Sequence, residues 1–130
     1  MPATLLASPA VNPTEAIADL TEISSQVEAA VLVGEDGAVL ASTLPAEVAD
    51  GLARAVLAMV ARAERVRPSG GGAVTQVRAS TMVGSVFVVR EGERLLAATT
   101  EPSPTVGLVL YDLRTCLRAL GQDEESSGAS

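Results

Sequence analysis

From Pro13 to Val27 the apolar residues Ile17, Leu20, Ile23 and Val27 return every three or four positions, the period of one face of a helix about four turns long. Asn12-Pro13-Thr14-Glu15 marks its start, with Asn as cap, Pro at the first helical position and Glu able to bond back to the cap. The period then shortens. Residues 29–34 and 38–43 are Val- and Leu-rich segments around Glu35-Asp36-Gly37, a turn signal, and they read as a hairpin with a loop longer than two residues. In the first segment Val31 and Val33 share one face and Ala30 and Leu32 the other, so the strand belongs in a sheet covered on both sides.

After Leu44-Pro45 the helical period resumes through Val48, Leu52, Val56, Met59 and Val60 to about Arg67, a helix of roughly six turns. Arg67-Pro68-Ser69-Gly70-Gly71-Gly72 ends it. Three strands follow, at about 73–80, 84–90 and 95–100. The first sets Gln76 and Arg78 beside Val74 and is more polar than the Val86 to Val89 run, which marks 73–80 as an edge. From Thr105 a last helix carries Val106, Val109, Leu110, Leu113, Leu117 and Leu120 and is expected to close at Gly121. The order is helix, two strands, helix, three strands, helix. One domain over 12–121 is expected, between a loose N-terminal arm at 1–11 and a disordered acidic tail at 122–130.

The long middle helix has a second flank where Gly51, Ala55, Ala58 and Ala61 stand among Glu47, Asp50, Arg54, Arg62 and Arg65. Alanine is the best helix former, which is one reason for it to be there. The other is a contact face on which small residues let a second helix approach closely. The sequence leaves both open.

Composition narrows the chemistry. The 130 residues suffice for one ordinary core. Nine basic residues, all arginine, face sixteen acidic ones for a net charge of −7, which argues against a nucleic-acid partner. Histidine and lysine are absent, so a Ser-His-Asp triad and a Ser-Lys dyad are both excluded. The single Cys116 sits at helical spacing from Leu113, Leu117 and Leu120 and reads as a core residue. Gly70-Gly71-Gly72 follows a helix and precedes a strand, the reverse of a phosphate-binding loop, and no lysine accompanies it. Glu91 and Glu93 read as solvated turn charges. No catalytic residue, metal site or cofactor is expected, and the chain is not expected to be an enzyme. No segment nears the ~20 apolar residues of a membrane span, and MPATLLASPA lacks the basic start of a signal peptide. A cytoplasmic protein without membrane insertion is expected, and the Arg-only, Ala- and Gly-rich usage points to a GC-rich, bacterial source.

The Asn-Pro-capped helix, the LVGEDGAVLAS hairpin, the Gly-rich break after an Ala-rich helix and the stretch GERLLAATTEPSPTVGLVLYDLR, in that order, resemble the roadblock family, which includes dynein light chains. The resemblance spans about residues 13–120. It implies an α/β fold of the roadblock/profilin-like kind: a five-stranded antiparallel sheet in a three-layer α-β-α sandwich, the middle helix on one face and the terminal helices on the other. It also implies a homodimer in which the third strand pairs with its mate and the middle helices lie side by side. Carried onto this chain, the strand is Ala73 to Ser80, with Val74, Gln76, Val77 and Arg78 in the contact, and the helix face is Gly51, Arg54, Ala55, Ala58 and Arg62. Many members of the family bind small Ras-like GTPases or act as scaffolds, and in bacteria such a domain often belongs to a signalling set with a sensor kinase. A scaffold or regulator of a small GTPase is the function expected on this ground. A module binding a small ligand or a signalling kinase, or a structural homodimer subunit, is the alternative on the same fold. Aromatic residues, the usual anchors of tight interfaces, make up only 2% of the chain, so any partner must be held by aliphatic and charged groups.

Overall fold

The computed structural model describes residues 12–66 and 74–129, with side chains as far as Gly121. The expected arm at 1–11 and the Gly70-Gly71-Gly72 break lie outside the described residues. Helix α1 (Pro13–Ile23) opens as its sequence dictates: the Asn12 side-chain oxygen accepts from the backbone N–H of Thr14 at 2.8 Å and of Glu15 at 3.4 Å. It ends a turn earlier than the apolar spacing implies. Ser24 is already extended, and its carbonyl accepts from Val27 N–H at 3.2 Å, so Val27 is the first residue of strand β1 (Val27–Val33) and not the last of the helical stripe. The Ser24 N–H closes the helix on the Leu20 carbonyl at 2.9 Å. Ile23 is consequently left 78% exposed.

Strand β2 (Val39–Ser42) pairs with β1, and β3 (Gln76–Ser80), β4 (Ser85–Glu91) and β5 (Arg94–Thr100) complete an antiparallel sheet in the order β2-β1-β5-β4-β3. Its central strands are apolar on both faces, as β1 predicts. On one face Leu32, Phe87, Leu96 and Ala98 meet α1 through Ile17 and Leu20 and helix α3 (Val106–Ala129) through Val109, Leu113 and Leu117. On the other face Val31, Val33, Val88 and Ala97 meet helix α2 (Ala46–Val66). The expected three-layer sandwich and element order are both present.

Two glycines answer to geometry. Gly37 has φ +89° in the β1–β2 turn, where a side chain would be strained. Gly84 ends the β3–β4 turn, and a Cβ there would fall inside the contact distance of the Thr100 carbonyl oxygen on β5. Because the obstacle is backbone, Gly84→Ala is expected to force β4 and β5 apart at their paired ends and cost about 1–3 kcal/mol. Urea unfolding reads this directly, and an unchanged midpoint would refute it.

Two helix expectations are corrected. The buried stripe of α2 is Ala49, Ala53, Val56 and Val60, whereas Val48 is 53% exposed and Leu52 and Met59 are half-buried. Small residues let the helix lie close on the sheet, which turns the larger side chains to its flank. Helix α3 spans Val106–Ala129 and so passes Gly121, where an end was expected. One interior glycine costs a helix only about 1 kcal/mol, and the Gln-Asp-Glu-Glu that follows contains no proline to stop it.

Candidate interaction surface

Strand β3 is one of the sheet's two outer strands, β2 being the other, and is paired on one side only, from Gln76 against Val89 to Ser80 against Ser85. It starts at Gln76, not at residue 73. Val74 lies before it, half-buried, with its N–H donating to a Glu64 carboxylate oxygen at 3.4 Å. Alternation splits the expected contact residues between two faces. Val77 packs toward α2. Arg78 faces the other way, its guanidinium 6.0 Å from the centre of the Phe87 ring, a cation–π distance; Gln76, two residues away, shares that side.

On α2, Arg54, Ala55, Ala58 and Arg62 are exposed and Gly51 is half-buried, with open space where a Cβ would stand. At 100° per residue these five lie opposite the buried stripe of Ala49, Ala53, Val56 and Val60. These five residues form one continuous solvent-facing strip. Between its edge and β3 lies a trough of about 520 Å³ lined by Met59, Arg62, Ala63, Val66, Val77 and Ala79. Met59, Ala63, Val66 and Ala79 are absent from the face read in the sequence. Met59 is absent because apolar periodicity assigned it to the core, and the alanines at 49 and 53 were the signal that the core stripe runs elsewhere.

The strip bears opposite charges at its two ends, Glu47 in the first turn and Arg62 and Arg65 in the last turns. At the far edge of α2, Glu64 is paired with Arg90 of β4 at 3.4 Å. Nearby, the Glu35 carboxyl titrates above its usual range because it shares a hydrogen bond with Glu93 and feels that neighbour's charge. When both are ionised they repel, so this corner is better held at low pH and loses that advantage as pH rises through the raised value. Both groups stand in open turns, and among the described residues no cluster of His, Cys, Asp or Glu could hold a metal ion. Nor is any described helix long and apolar enough to cross a membrane. The surface thus combines a one-sided strand edge, a strip of small side chains and opposite charges at its ends.

The Roadblock/LC7 domain family model matches residues 14–100. No curated protein matches in sequence. Among solved structures, a Roadblock/LC7 domain from Streptomyces avermitilis superposes with TM-score 0.77 at 19% identity, over 84% of this chain and 94% of that one. Myxococcus xanthus MglB gives TM-score 0.69 at 18% identity, over 88% and 89%. A structure of MglB in a tetrameric arrangement gives 0.76 at 18% identity, over 92% and 93%.

Proposed function

We propose, for a chain that belongs to the Roadblock/LC7 domain family, that it is a non-catalytic homodimeric regulator or scaffold on which a small Ras-like GTPase docks. The observation that carries the reading is the one-sided edge of β3 lying beside the apolar trough and small-residue strip of α2. An open strand edge invites pairing and natural sheets cover or blunt it; a second copy across a two-fold axis covers this one and the trough together. In such an arrangement two α2 helices crossing antiparallel near Ala55 bring Glu47 toward the partner copy's Arg65. Gly51, Ala55 and Ala58 allow the close approach. The MglB structure described as having a tetrameric arrangement is a precedent for self-assembly on this fold. The GTPase belongs to the reading through the family, many of whose members bind such proteins.

The test is a pull-down from host lysate with tagged protein in parallel with GDP and with a non-hydrolysable GTP analogue. A Ras-like GTPase recovered preferentially in one nucleotide state is the expected result, and no GTPase in either state would overturn that part of the proposal. The ligand-binding alternative has one observation in its favour, an open cleft of about 350 Å³ between α2 and the turns bearing Glu35 and Glu93. It requires a reproducible thermal shift with a metabolite and no GTPase contact.

A further inference from the structure

On the far side of the sheet from that surface, α1 and α3 leave a groove of about 260 Å³ between them. Asp19, Leu20 and Ile23 line it from α1, and Asp112, Cys116 and Ala119 from α3. The groove has an apolar floor and one carboxylate on each wall. It continues past its own lining: Leu108 lies four residues before Asp112 on the same side of α3, 49% exposed, and Tyr111 beside it is 67% exposed. Ile23 is the most exposed of the groove's apolar residues, at 78%. Helix α1 carries Glu15, Asp19 and Glu22 and no basic residue. The volume lies below the roughly 300–1,000 Å³ usual for small-molecule pockets and suits one or two side chains of a docking helix.

We propose that the α1–α3 groove docks a basic amphipathic helix of a partner protein, one apolar side chain seated between Leu20, Ile23 and Ala119 and flanking Arg or Lys residues meeting Asp19 and Asp112. Charge complementarity commits the proposal to this occupant: both walls and the adjoining flank of α1 are acidic, and the chain's net charge of −7 steers a cationic segment toward it. A second copy could offer the Arg54, Arg62 and Arg65 flank of its α2, which the proposed dimer already covers, and an acidic helix would face two unpaired carboxylates. The surface is separate from the α2–β3 face, so the proposed dimer leaves it open.

Cys116 is the only cysteine, half-buried in the groove, and burial together with the Asp19 charge pushes its thiol up, so alkylation there is slow and reports locally on coverage. The probes are fluorescent synthetic helices of about 18 residues with Leu at helical spacing and Arg on the flanks, and two counterparts, one with Glu for Arg and one with Ala for Leu. On the full chain, the Leu/Arg helix is expected to bind saturably and to slow iodoacetamide labelling of Cys116, while both counterparts do neither. Asp19→Asn with Asp112→Asn should weaken binding about fivefold or more. Ala119→Phe, which fills the groove, should abolish protection even if the charges remain. The proposal is overturned by no saturation up to about 1 mM, by binding that leaves Cys116 labelling unchanged, or by equal binding of either counterpart helix.

Discussion

Phe87→Ala is expected to lower the unfolding free energy by about 3–5 kcal/mol, a large part of the roughly 5–15 kcal/mol available to a domain of this size. Phe87 is the only phenylalanine and is fully buried at the centre of β4. Its ring packs against the face shared by α1 and α3 and lies opposite Ala98 on β5, whose small side chain cannot fill the space vacated. The substitution therefore leaves a cavity bounded by two strands and two helices that are tied together by their own hydrogen bonds. Removing the ring also leaves the Arg78 guanidinium without its aromatic partner, a smaller loss at an exposed residue. Urea denaturation followed by circular dichroism measures the effect. Phe87→Leu keeps most of the volume and should cost less than half as much; equal losses for the two would show that aromatic character, not volume, is what the core requires.

Ala58→Glu is expected to turn the homodimer into a monomer while leaving the fold intact. Ala58 is exposed at the middle of the α2 strip and outside both core clusters, so folding should change by no more than about 0.5 kcal/mol. In the proposed two-fold contact each copy would bring its new carboxylate against the other helix. An unpaired charge in a close contact costs about 3 kcal/mol or more, at least a hundredfold in Kd. Val77→Glu should act in the same direction from the strand side, but Val77 also packs under α2, so some loss of stability accompanies it. Light scattering on a sizing column decides the matter: an Ala58→Glu chain that remains dimeric removes α2 from the interface. The Glu47–Arg65 pairing across the axis adds a second signature. Salt near 1 M, where the screening length is about 3 Å, should weaken the wild-type dimer a few-fold, since such exposed pairs contribute at most about 1 kcal/mol each.

What the sequence determined by itself is local or periodic. Asn12-Pro13 places the start of α1, Asp36-Gly37 the first turn, and the doubly apolar β1 a sheet covered on both sides, because caps, turn residues and strand alternation act within a few residues of chain. The element order and edge position of β3 follow from the same patterns. The helix faces were decided only by tertiary structure. Apolar spacing alone assigns Val48 and Met59 to the core of α2, yet the sheet accepts Ala49 and Ala53, since the distance between layers, which no local pattern encodes, determines which side chain fits beneath the helix. Likewise the groove between α1 and α3 joins residues about a hundred positions apart: Asp19 and Asp112 become opposite walls only because both helices settle antiparallel on one face of a sheet whose strands lie between them in the chain.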